Sequence, residues 1–178
     1  HINVAAAYVE PTISGTFQSE ITAGDWYNAD FTVEDGEGDY TWEMIGSPSW
    51  LELDYWVNSG INIHGSTNDA GTYSFTLKVT DNRGNSDIQT VYITVYAYPS
   101  IEGTYQDTGT VGETYSASFT VKDGIEPYTW NITGKPEWLT FTDNGTSATI
   151  SGTPNNEDSC SFSVKVTDGN DNSTTSDV

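Results

Sequence analysis

Apolar and polar residues alternate with a period of two along several stretches of the chain. Tyr73, Phe75, Leu77 and Val79 share one face while Ser74, Thr76, Lys78 and Thr80 share the other, the pattern of a half-buried β-strand. Phe31 and Val33 alternate in an earlier strand, Tyr40, Trp42 and Met44 in the next, and Val91, Ile93 and Val95 in a later one. Farther on, Cys160, Phe162, Val164 and Val166 repeat the first pattern. That places the Cys160 thiol in a core, as a small apolar group rather than a reactive one. Gly, Asn and Asp punctuate these stretches, as tight turns require.

The pattern occurs twice because the chain is internally repeated, at an offset of 88 residues. Ile13-x-Gly15-Thr16 matches Ile101-x-Gly103-Thr104, and Phe31-Thr32-Val33-x-Asp35-Gly36 matches Phe119-Thr120-Val121-x-Asp123-Gly124. Tyr40-Thr41-Trp42 matches Tyr128-Thr129-Trp130, and Gly46-x-Pro48-x-Trp50-Leu51 matches Gly134-x-Pro136-x-Trp138-Leu139. One residue is then lost in the second copy. At the new offset of 87, Ile63-His64-Gly65 pairs with Ile150-Ser151-Gly152, and Lys78-Val79-Thr80-Asp81 with Lys165-Val166-Thr167-Asp168.

The chain therefore reads as two tandem all-β domains, 1–97 and 98–178, each an immunoglobulin-like sandwich of about seven strands. Trp42 and Trp130 fall where such sandwiches bury a tryptophan, and the Pro48 and Pro136 corners return Trp50-Leu51 and Trp138-Leu139 to the core. Ile2-Asn3-Val4 resembles Ile93-Thr94-Val95 and is expected to be the tail of a preceding unit. Val178 aligns with Val91, so the last strand of the second copy is expected to be truncated, with an edge and part of a core uncovered.

The Pro-x-Trp-Leu corner, the Ile150-Ser-Gly-Thr-Pro154 turn, the Gly71-Thr-Tyr-Ser-Phe75 strand and the Val79-Thr-Asp-x-x-Gly-Asn85 hairpin, in this order, resemble the putative-Ig repeats of microbial surface and secreted proteins. That family is similar to cadherin-like repeats of dystroglycan type. The resemblance implies an extracellular or cell-surface location and use as spacers, adhesive elements or binding modules within large adhesins, surface layers or multidomain enzymes. The first copy departs from the pattern at Ile63-His64-Gly65-Ser66-Thr67, which lacks the proline of the second.

Charge narrows the partners. The chain carries 26 acidic against 5 basic side chains, a formal net charge of −21, which repels phosphate backbones and anionic lipid surfaces. No stretch approaches the roughly 20 apolar residues of a membrane-spanning helix, so neither nucleic acid nor membrane insertion is expected. Such an excess of carboxylates must be offset by salt, bound cations or packing. Calcium takes hard oxygens presented on loops. An immunoglobulin-like topology would gather Glu20, Asp25 and Asp69 at one end of the first copy against Glu102, Asp123, Glu126, Asp168 and Asp171 of the second. A calcium ion there, stiffening the linker Tyr96-Ala-Tyr98-Pro99-Ser100, is one expectation. Asp168-Gly-Asn170-Asp171-Asn172 matches the Asp-x-Asn-Asp-Asn motif of cadherin linkers, yet it aligns with the turn Asp81-Asn-Arg83-Gly-Asn85, where turn chemistry alone accounts for Asp, Asn and Gly.

No nucleophile elbow, zinc-ligand set or phosphate loop occurs, and the chain is not expected to be an enzyme. The histidines are His1, at the terminus, and His64, at a surface strand position. Comparison of the copies isolates Trp26, opposite Thr114, and Tyr55-Trp56, which has no aromatic counterpart, as residues the fold does not demand. Exposed rings of this kind stack on sugar faces or serve inter-repeat contacts. The function that results is a non-catalytic spacer and adhesion or presentation module. Its expected partners are neighbouring repeats of the same chain, with a glycan or a cell-surface protein. The alternative is a carbohydrate-binding accessory of a secreted multidomain enzyme.

Overall fold

The computed structural model describes residues 8–56 and 60–178 and divides the chain into two compact units, His1–Tyr96 and Ala97–Val178. The stretch Ile2-Asn3-Val4, read above as the tail of a preceding unit, lies outside the described residues. All regular structure among the described residues is β.

Among its described residues the first unit has eight strands: β1 (Thr12–Thr16), β2 (Glu20–Thr22), β3 (Trp26–Glu34), β4 (Thr41–Ile45), β5 (Leu51–Tyr55), β6 (Gly60–Ser66), β7 (Gly71–Thr80) and β8 (Ser86–Tyr96). They form two sheets, β1-β3-β6-β5 and β2-β8-β7-β4, the arrangement of an immunoglobulin-like sandwich. Every pairing is antiparallel except that of β2, which runs parallel to the end of β8 from Glu20↔Thr94 to Thr22↔Tyr96. The period-two residues of both sheets meet inside: Tyr27, Phe31, Ile61 and Ile63 from one, and Phe75, Leu77, Val79, Val91 and Ile93 from the other, are at most 2% exposed. Each such side chain contributes roughly 1.5–3 kcal/mol on burial. The Tyr27 hydroxyl is buried with no hydrogen-bond partner, and burial pushes its pKa up to about 12.

The proline corner works as a strand switch. Leu51 N donates to Pro48 O at 3.1 Å, and the Trp50 ring meets Tyr27 and Tyr73 edge-on at 6.1 and 5.4 Å. The backbone of the corner then lies directly against β6: a Cβ on Gly65 would come within 2.0 Å of Trp50 O. The second unit repeats this approach, Gly152 against Trp138 O at 2.0 Å, which explains why the Ile-x-Gly signature accompanies the Pro-x-Trp-Leu corner in both copies.

The second unit has seven strands: β9 (Ser100–Thr104), β10 (Tyr115–Lys122), β11 (Thr129–Thr133), β12 (Leu139–Asp143), β13 (Ser147–Gly152), β14 (Ser163–Thr167) and β15 (Ser173–Asp177). They form sheets β12-β13-β10-β9 and β11-β14-β15. Trp130, Phe119, Leu139, Ile150, Val164 and Val166 are buried at its centre. The one-residue length difference falls in the β5–β6 turn, where Tyr55↔Ile61 corresponds to Asp143↔Ala148.

One expectation fails. Cys160 is exposed and lies outside any strand, because β14 begins only at Ser163. The ladder between β14 and β15 ends with Phe162 and Val178, which exchange hydrogen bonds at 3.0 and 2.9 Å. Cys160 therefore has no partner strand to hold it inward, whereas its counterpart Tyr73 pairs with Ile93. A cavity of about 440 Å³ lies beside Cys160, lined by Gly109, Tyr115, Trp138, Leu139 and Phe162 among others.

Candidate functional site

Among the described residues both cores are built of apolar side chains, and the polar groups gather at turns and on the outer faces of the sheets. The turn aspartates are the most conspicuous buried polar groups, each only 5% exposed: Asp81 and Asp168. Asp81 Oδ1 accepts from Arg83 N and Asn85 N, both at 2.9 Å, and its Oδ2 accepts from Tyr8 Oη. Burial alone would raise its pKa, but these hydrogen bonds from Tyr8, Asn85 and Arg83 outweigh it and hold the carboxyl below its ordinary range. Tyr8 is pushed up to about 12, first by burial and then by Asp81. Asp168 repeats the device, accepting from Asn170 N and Asn172 N at 3.0 and 2.9 Å and from Ile125 N at 3.3 Å. Both carboxylate oxygens of Asp168 thus accept from protein donors, Oδ1 from within its own turn and Oδ2 from Ile125.

The other carboxylates of the calcium expectation take separate places within their units. Asp25 Oδ2 accepts from Thr22 N at 3.3 Å, Glu20 Oε1 accepts from Tyr96 Oη at 3.4 Å, and Asp69 offers its carbonyl to Tyr73 Oη at 2.9 Å. In the second unit Glu102 lies 3.9 Å from Lys122 Nζ. Asp123 and Asp171 sit at positive φ in turns, and Glu126 is exposed. Among the described residues, no three His, Cys, Asp or Glu side chains gather in a way that could hold a metal ion.

A different cluster appears on the outer face of the sheet β1-β3-β6-β5. Alternation along β3 turns Tyr27, Ala29 and Phe31 inward and Trp26, Asn28 and Asp30 outward. Register then sets Asn28 beside His64 and Asp30 beside Asn62, with Glu52 and Asp54 on the far side of β6. Asn62 Nδ2 donates to Asp30 Oδ1 at 2.6 Å and to Asn28 Oδ1 at 3.0 Å. His64 Nε2 is 3.1 Å from Asp54 Oδ2. Trp26, 62% exposed, stacks on the His64 ring with centroids 5.3 Å apart and planes within 19°. Under that stack His64 Nδ1 is buried without a partner.

Trp56 closes the opposite end of the face. Its backbone N donates to Gly60 O at 2.9 Å, and its ring lies over Gly60, where a Cβ would come within 2.9 Å of Trp56 Cε3 and 3.6 Å of Thr32 Cγ2. Of the three aromatics singled out from the sequence, Trp26 and Trp56 share this face. Tyr55 does not: its hydroxyl donates to Trp42 O at 3.3 Å, at the edge of the sandwich. Sequence reasoning missed Asn28, Asp30, Glu52, Asp54 and Asn62 and set His64 aside. The signal was present, because the inward residues Tyr27, Ala29 and Phe31 recur as Tyr115, Ala117 and Phe119 while the outward Trp26, Asn28 and Asp30 become Thr114, Ser116 and Ser118.

Known proteins agree with the architecture. Residues 27–95 match the family model described as K319L-like, PKD domain, and residues 99–178 match the one described as Putative Ig domain. The serine-rich adhesin for platelets of Staphylococcus aureus strain USA300 is 31% identical over 153 residues, covering 81% of this chain and 6% of the adhesin. The version from strain MRSA252 is likewise 31% identical, and 11% of its length is covered. The chain thus spans only a small part of these relatives. Among solved structures, the N-terminal eight Ig domains of Down Syndrome Cell Adhesion Molecule share the fold, with a TM-score of 0.62 and 16% identity over 96% of this chain and 27% of that one. An endo-fucoidan hydrolase of glycoside hydrolase family 107 matches 94% of this chain and 28% of its own at 25% identity and a TM-score of 0.43. The chain is thus a tandem of two Ig-like β-sandwich domains, the first similar to a PKD domain over residues 27–95 and the second to a putative Ig domain over residues 99–178.

Proposed function

We propose that the chain is a non-catalytic spacer and presentation element of a large surface or secreted protein, working outside the cell, with adhesion as an added property of individual repeats. The observation that carries this reading is the division of labour between the faces of each sandwich. The two copies agree on inward residues such as Tyr27 and Tyr115 or Phe31 and Phe119, and differ on the outward residues beside them. A module selected to extend a chain needs the first set only, and repeats of one array can then vary the second. The similarity of 81% of the chain to a short stretch of a far longer adhesin supports the same use.

Small-angle scattering tests the spacer role. A maximum dimension about twice that of a single unit of this size supports it, and a compact particle overturns it. Calcium binding by loop carboxylates is a separable part of the reading, supported by the net charge of −21. It is struck out if calcium leaves the melting temperature unchanged.

A further inference from the structure

The geometry points to a glycan-binding platform on the outer face of β3, β6 and β5 in the first unit, built to take a neutral oligosaccharide. This goes beyond a spacer role and does not depend on it.

Three features of the face define the ligand. The first is its pair of rings. Trp26 stands at one end and Trp56 at the other, separated by three two-residue steps along β3, from Trp26 to Thr32, or about 20 Å at 3.4 Å per residue. Flat rings so far apart suit apolar sugar faces several residues apart in one oligosaccharide rather than a single small molecule. The second is the strip between them. Asn28, Asp30, Asp54 and His64 supply hydroxyl-matching acceptors and donors, and they are preorganised by the Asn62–Asp30 and His64–Asp54 hydrogen bonds, which lowers the entropic cost of binding.

The third is charge. The strands β3, β5 and β6 contain no Lys or Arg, and Asp30, Glu52 and Asp54 all belong to this face. Sulfated or uronic glycans would meet uncompensated carboxylates and be repelled, whereas carboxylates accept hydrogen bonds from neutral sugar hydroxyls. The second unit is an internal control. At the positions of Trp26, Asn28, Asp30, Glu52, Asp54 and His64 it carries Thr114, Ser116, Ser118, Thr140, Thr142 and Ser151, so the same sheet folds without any of this chemistry.

The test is an NMR titration of the isotope-labelled two-unit chain with neutral gluco-, manno- and galacto-oligosaccharides, with a sulfated and an amino-sugar oligomer of similar length alongside. The expected result is saturable binding of at least one neutral oligomer, insensitive to salt, with shifts at the Trp26 indole and the amides of β3, β5 and β6. Trp26→Ala should weaken it at least about tenfold, the scale of losing one buried aromatic anchor, and Trp56→Ala should weaken it as well. Thr114→Ala in the second unit should change nothing. Both tryptophans are exposed, so unchanged melting temperatures will show that the variants fold. The proposal is overturned if no neutral oligomer binds, if Trp26→Ala binds as tightly as the parent, or if the shifts map to the second unit. Binding of the sulfated oligomer, or binding of the amino sugar alone that vanishes in salt, overturns the assignment of a neutral ligand.

Discussion

The strands β3 and β10 hold the same place in the two units, and apart from one shared outward pair, Thr32 and Thr120, their residues agree inward and disagree outward. Tyr27, Ala29, Phe31 and Val33 are repeated inward, while Trp26, Asn28, Asp30 and Glu34 are replaced by Thr114, Ser116, Ser118 and Lys122 outward. The difference separates two kinds of constraint acting one residue apart. The inward set is fixed by a core in which a change of a single methylene is felt. The outward set is free of packing, so what accumulates there reports on something outside the fold.

Substitutions on either side of this contrast test it. The largest effects belong to features the units share. Gly65→Ala and Gly152→Ala force a Cβ against the corner carbonyl in both units, and each should cost about 3 kcal/mol, measured by denaturant unfolding; tolerance of either would refute the close approach. Asp168→Ala removes an acceptor from three backbone donors and should cost about 2–3 kcal/mol in the second unit.

Next come sites where the copies share a residue but not its surroundings. Tyr27 has a buried hydroxyl without a partner, whereas the Tyr115 hydroxyl donates to Gln106 O at 3.1 Å. Tyr27→Phe should therefore stabilise by about 1 kcal/mol and Tyr115→Phe destabilise by about as much; equal signs in the two melts would sink the comparison. Acid separates Asp81 in the same spirit. Its folded pKa lies below the ordinary 3.8, so its contribution is present above that value and is lost as pH falls through the folded pKa. Asp81→Asn should flatten the acid limb of the stability profile, read from thermal melts between pH 5 and pH 2. The smallest effect is expected from transplanting Trp, Asn and Asp onto Thr114, Ser116 and Ser118, which should leave stability within about 0.5 kcal/mol.

Much of this was legible in the residues. Alternation at Tyr73 to Val79 gave β7, the repeat gave the domain pair, and the proline corners placed Trp50 and Trp138 correctly against their cores. Cys160 misled because a strand's inward face exists only where a neighbouring strand pairs with it, and sequence periodicity does not report the neighbour. Trp26 and Trp56 were visible as unshared aromatics. Their polar companions were not, because Asn28, Asp30, Asn62 and His64 become one surface only through register across three strands, and register is a tertiary fact. Tyr55 and Trp56 are adjacent in sequence, yet Tyr55 ends β5 and turns to Trp42 O while Trp56 lies past the strand, over Gly60.

The identity of the inward sets has a consequence for assembly. An unfolded chain offers each core two chemically interchangeable candidates for one central strand, since β3 and β10 present the same Tyr-x-Ala-x-Phe-x-Val row. Neighbouring repeats that share core rows are prone to exchange elements as they fold. Chain connectivity and the one-residue difference in the β5–β6 and β12–β13 turns favour the native partner, and so do outer-face pairs that only β3 can make with β6, Asp30 with Asn62 and Trp26 with His64. Divergence on the outer face thereby also discriminates against that exchange.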